Sequence, residues 1–151
     1  MNSYLRAFDR LEQIIKAEPF NHTVTRGKIS DVDLEKQTIF PLAHLMLNNG
    51  VITNNTVQLN ITMLLMDLVD VSNEAVENIF NGNSNINYII NTQLGLGTRV
   101  MRVLQKASIN RDDFEVEGDA TFEDFDERFQ NNLAGVAITF TVSVHDNMTY
   151  C

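Results

Sequence analysis

From Tyr4 onward, apolar residues return at intervals of three and four. Tyr4, Leu5, Phe8, Leu11, Ile14 and Ile15 form one stripe of an amphipathic helix predicted over residues 3–17. Ser3 can cap its start, and Pro19 ends it because the residue before a proline is pushed out of the helical region. Residues 22–37 alternate only in short pieces around Gly27, which predicts an edge strand and a loop. Residues 39–47 and 56–69 then read as two strands of a hairpin joined by the Asn- and Gly-rich residues 48–55. In the second strand Val57, Leu59, Ile61 and Met63 share a core face, and Gln58, Asn60 and Thr62 share a wettable one. Pro41 lacks a ladder donor, so its part of the first strand is expected at an edge or a bulge.

A short helix is predicted over residues 73–80, with a break at residues 81–85. The helical period then resumes at Ile86, Ile89, Ile90, Leu94, Gly97, Val100, Met101 and Leu104, which defines a long packing helix. Gly95 and Gly97 each cost about 1 kcal/mol relative to Ala inside a helix, unless they permit close approach to a sheet. Two further strands follow. Phe114, Val116, Gly118, Ala120 and Phe122 alternate with Glu115, Glu117, Asp119 and Thr121, and after an acidic connection Val136, Ile138, Phe140, Val142 and Val144 form the clearest strand of the chain. The expected fold is a single α+β domain over residues 1–151, with a mainly antiparallel sheet of two hairpins packed against the N-terminal helix and the long central helix.

Charge narrows the function classes. The formal net charge of −9 disfavours specific nucleic-acid binding, which needs clustered Lys and Arg to displace counterions from phosphates. No stretch approaches the roughly 20 apolar residues of a membrane span, and the start of the chain lacks a continuous apolar signal region. The one cysteine, Cys151, can form neither an internal disulfide nor a thiol cluster by itself. Negative charge is concentrated in residues 112–127, where Asp112, Asp113, Glu115, Glu117, Asp119, Glu123, Asp124, Asp126 and Glu127 occur with no Lys or Arg among them. Such a stretch is either a solubilising surface or an electrostatic one, docking a basic partner or lining a channel to which DNA must not adhere.

Other chemistry finds little support. Gly95-Leu96-Gly97-Thr98-Arg99-Val100 begins like a dinucleotide fingerprint but lies within a helical repeat and has no third small residue. The acids from Asp113 to Asp124 match the spacing of a calcium loop, yet Phe114 and Val116 impose the alternation of a strand. His22, His44 and His145 fall into no metal-binding spacing, and no serine sits in a nucleophile elbow. The chain is therefore expected not to be an enzyme and to need no cofactor or metal.

The order of elements, together with residues 122–144, FEDFDERFQNNLAGVAITFTVSV, resembles the tail-terminator and tail-completion (neck) structural proteins of tailed bacteriophages. In that stretch a "Phe, acid, acid, Arg, Phe" segment precedes a Leu-Ala-Gly strand entry and a last alternating strand. The resemblance implies a virion protein, assembled in the host cytoplasm, that forms a homomeric ring, sixfold or twelvefold, against adjacent neck, connector or tail-tube proteins. It implies no catalytic residues. The alternative expectation is an acidic adaptor module that binds a basic protein partner without forming a ring.

Overall fold

The computed structural model describes residues 3–18, 23–28, 41–54, 56–68, 86–110, 114–125 and 133–145. Helix α1, Ser3–Lys16, buries Ala7, Phe8, Leu11, Ile14 and Ile15, while Leu5 lies outside the buried arc and is exposed. Strand β1, Thr23–Arg26, is followed by β2, Leu42–Ile52, and β3, Thr56–Leu68. Helix α2, Ile86–Asn110, precedes β4, Phe114–Phe125, and β5, Leu133–His145. The predicted short helix at residues 73–80 lies outside the described residues, as do Pro19 and the break at residues 81–85.

These strands form one five-stranded sheet in the order β1-β2-β3-β5-β4. The architecture is α+β, but it corrects the expected pair of antiparallel hairpins on an N-terminal and a long central helix. The sheet is mixed: β1 runs parallel to β2, with Thr25 opposite His44, and β3 pairs with β5 to fuse all the strands into one layer. Reading strands only against their chain neighbours hid both features. The segment between Arg26 and Leu42 is long enough for the crossover that a parallel pair requires. Edge position falls to β1, and Pro41 precedes β2, where its carbonyl accepts the Thr23 N–H at 3.0 Å.

Both helices pack on one face of the sheet. Phe8, Leu11 and Ile15 of α1 and Leu96, Val100 and Leu104 of α2 meet Leu45 of β2, Ile61, Met63 and Leu65 of β3, and Val136, Ile138, Phe140 and Val142 of β5. Fully burying such a side chain contributes about 1.5–3 kcal/mol. By contrast, the exposed clasp of Arg26 on Asp9 at 2.7 Å contributes at most about 1 kcal/mol, so burial rather than ion pairing holds α1 down. Arg26 also bonds Glu12, whose carboxyl is held below its ordinary range first by the Lys16 hydrogen bond and then by Arg26.

Leu42, Leu64, Met66, Phe125 and Leu133 form a second apolar cluster on the opposite face. The predicted core-and-wettable division of β3 therefore holds only for its first half. From Met63 to Met66 the side chains are buried on both faces, as a continuous apolar run requires.

The predicted 48–55 loop is mostly strand. A one-residue bulge at Asn48, between the pairs Leu47–Ile61 and Asn49–Asn60, lets β2 continue to Ile52, and the turn closes with the Thr53 N–H donating to the Thr56 carbonyl at 2.9 Å.

Gly97 sets how closely α2 approaches the sheet. A Cβ there would come within 2.1 Å of Ile138 Cδ1 and 3.1 Å of Leu65 Cδ1, whereas one at Gly95 would meet only the Arg99 side chain at 3.9 Å. Overpacking typically costs about 1–3 kcal/mol, which exceeds the roughly 1 kcal/mol of helix propensity that alanine returns. Urea unfolding of single variants is expected to show Gly97→Ala destabilised and Gly95→Ala stabilised by about 0.5–1 kcal/mol. Equal shifts for the two would show that α2 does not rest on Ile138.

Candidate functional site

Among the described residues, strand β4 is the last strand of the sheet and pairs with β5 on one side only. Its register places Glu115 opposite Ser143, Glu117 opposite Thr141 and Glu123 opposite Ala137, so these three glutamates share the face turned away from the helices. All three are exposed. The Gln58 amide donates to Glu117 at 2.9 Å, which ties the acidic edge back across β5 to β3.

Between Glu117 and Thr121 the register breaks. Gly118, Asp119 and Ala120 stand against the single residue Phe140, and Gly118 adopts φ 69°, a left-handed conformation that glycine takes without strain. The predicted acidic face is interrupted here. Asp119 leaves the row of glutamates and lines a groove of about 340 Å³ between β4 and α2, with Ala120, Thr121 and Phe122 beside it and Leu94, Thr98, Met101, Arg102 and Gln105 opposite. Phe122, expected to share a face with Val116 and Ala120, is 57% exposed. Glu123, Asp124 and Phe125, read as part of a connection, belong to β4, and Asp124 lies on the helix side opposite Val136.

Of the acidic residues singled out, the strand thus brings Glu115, Glu117 and Glu123 together and sets Asp119 and Asp124 apart. Asp112, Asp113, Asp126 and Glu127 lie outside the described residues. The α2 side of the groove was not foreseen, because nothing local in the chain says that Arg102 faces β4. A glycine inside an alternating run is, however, a bulge signal, and Gly118 carried it.

The central strands carry a second polar feature on the face away from the helices. The Asn48 amide donates to Asn60 Oδ1 at 2.9 Å and to Thr62 Oγ1 at 2.6 Å, Asn60 donates to Thr141 Oγ1 at 3.3 Å, and Thr62 and Thr139 share a hydrogen bond of 3.1 Å. These groups satisfy one another in cross-strand pairs and leave the surface polar without net charge.

The remaining sequence features resolve structurally. The glycine pair of residues 95–100 lies inside α2, where it cannot form a strand-to-helix phosphate turn. Of the acids with calcium-loop spacing, Glu115, Glu117 and Asp124 sit on a strand, and among the described residues no group of three His, Cys, Asp or Glu side chains is placed to hold a metal ion. His44 is buried on β2. Its Nε2–H donates to the Gly27 carbonyl at 2.8 Å, so its Nδ1 accepts the Thr25 hydroxyl at 2.6 Å, and the neutral ring ties β1 to β2. His145 ends β5 opposite Thr56, at the far end of the sheet from His44. His22 lies outside the described residues. No protein-family model and no curated protein matches the chain.

Burial pushes the His44 imidazole below its ordinary value of 6.5, outweighing the Gly27 hydrogen bond that favours the charged ring. With the folded value depressed, the unfolded chain takes up the proton first, so this contribution to stability is complete above about pH 6.5 and declines on acidification. Urea midpoints measured from about pH 7.5 down to about pH 5.5 are expected to fall for the native chain and to fall less for His44→Gln, itself weaker at neutral pH by about 1–3 kcal/mol. Parallel pH profiles would show that another group carries the effect.

Proposed function

We propose that the chain is a structural subunit of a tailed-phage neck or tail, a terminator, tail-completion or head-tail connector protein, that assembles into a homomeric ring through which DNA passes. The observation that carries this reading is the far end of the β2-β3 hairpin. There Val51 and Ile52 are exposed, Ile52 to 85%, on strands paired out to Thr56, and Leu47 is exposed farther back along β2. Single exposed apolar residues are ordinary, but Val51, opposite Gln58, and Ile52, opposite Val57, carry apolar surface on both faces of the hairpin end, and its burial in a contact yields about 1.5–3 kcal/mol for each side chain fully covered.

The hairpin end and the acidic β4 edge are different surfaces. A contact that joins unlike surfaces is heterologous, and heterologous contacts generate rings when the rotation closes. Exposed carboxylates at Glu115, Glu117 and Glu123 suit either a channel wall that does not retain phosphates or a neighbour carrying positive charge. The second reading, an acidic adaptor for a basic partner that forms no ring, draws on the same edge.

Light scattering after size-exclusion chromatography, with negative-stain imaging, separates the two. The native chain is expected to form closed rings at high concentration, and Ile52→Asp to remain a monomer with an unchanged melting midpoint. A native chain that stays monomeric at every concentration overturns the ring and favours the adaptor.

A further inference from the structure

We propose that the outer edge of β4 is a strand-addition site for an extended segment of a second protein in which Lys or Arg alternates with apolar residues. The inference rests on the assembly reading and names the partner chemistry of its acidic surface. The edge itself supplies the first reason. In an antiparallel pair every second residue turns its N–H and C=O away from the neighbouring strand, and among the described residues no strand pairs with the outer side of β4. An incoming backbone completes those hydrogen bonds.

The two sides of the edge supply the pattern. Toward the helices lies the groove between β4 and α2, with Ala120, Phe122, Leu94 and Met101 as its apolar lining and Asp119 and Arg102 beside them. Away from the helices stand Glu115, Glu117 and Glu123. Side chains of an added strand alternate between these sides, so apolar residues enter the groove while the residues between them meet carboxylates. The bulge at Gly118 bends the edge, and residues 121–125 hold Glu123 and the groove together as the primary contact.

Charge also decides against a second copy of this chain. Pairing β4 with β4 sets glutamates against glutamates, which repels. The other edge, β1, offers only four residues, and its Arg26 is engaged by Asp9 and Glu12. The occupant therefore brings its own cations.

The test is fluorescence anisotropy of the full chain with a labelled peptide of about nine residues that alternates Lys and Val, at low and at physiological salt. Two control peptides have the same composition, one with its Lys residues clustered at one end, the other N-methylated at alternate amides so that one edge can no longer pair. The alternating peptide is expected to bind at least about tenfold more tightly than either control, and Glu115→Gln/Glu117→Gln/Glu123→Gln to weaken it by about tenfold while leaving the melting midpoint unchanged. Equal binding of all three peptides means charge attraction without strand addition and overturns the proposal. So does binding that the triple variant leaves unchanged, or self-association of the chain that the peptide competes away. Rings that form without peptide binding remove only the strand-addition site, whereas peptide binding by a permanent monomer removes only the ring.

Discussion

Everything else in the molecule hangs on the pairing of β3 with β5. The ladder runs unbroken from Thr56 opposite His145 to Leu68 opposite Leu133, and it joins residues as far apart in the chain as Thr56 and His145. Closing so long a loop costs chain entropy before any contact is made. Burial offsets it: Ile61, Met63 and Leu65 on one side and Ile138, Phe140 and Val142 on the other lie beneath both helices, while Leu64, Met66 and Leu133 are buried on the reverse face. Once β3 and β5 are joined, β2 and β4 can only flank them, and among the described residues β4 is left at one edge of the sheet.

That placement turns a charge pattern into a surface. Glu115, Glu117 and Glu123 would be a solvated face anywhere on the sheet, but on its last strand they also govern which backbone can approach. Edge strands commonly use charge and bulges to prevent unwanted pairing, and β4 has both. The same devices that repel an identical edge leave the strand open to one of opposite charge. Protection and the proposed recognition are two consequences of one arrangement, and the exposed hairpin end at Val51 and Ile52 is a separate apolar surface, the one proposed for lateral assembly.

Local periodicity made the elements legible. The stripe from Phe8 to Ile15, the recurrence from Ile89 to Leu104 and the alternation from Val136 to Val144 each correspond to a helix or strand core, because a side chain's direction follows directly from the period of its element. Partner choice was not legible. Nothing near Thr25 indicates that it will lie parallel to His44, and nothing in the Asn-rich stretch at Asn48 distinguishes a bulged strand from a loop. Of the candidate site, Glu115 and Glu117 were readable as acids on a strand, and Glu123 only as part of an acidic connection. Their position at an open edge beside α2 was not, because it follows from the β3-β5 ladder and from the close packing at Gly97.

Amide hydrogen exchange on the isolated protein tests this central placement most directly. Amides of β3 and β5 should exchange slowest, and along β4 slow amides that face β5 should alternate with fast ones that face outward. Uniform protection along β4, equal to that of β5, would mean that its outer edge is already paired, and would contradict an account built on an open acidic strand.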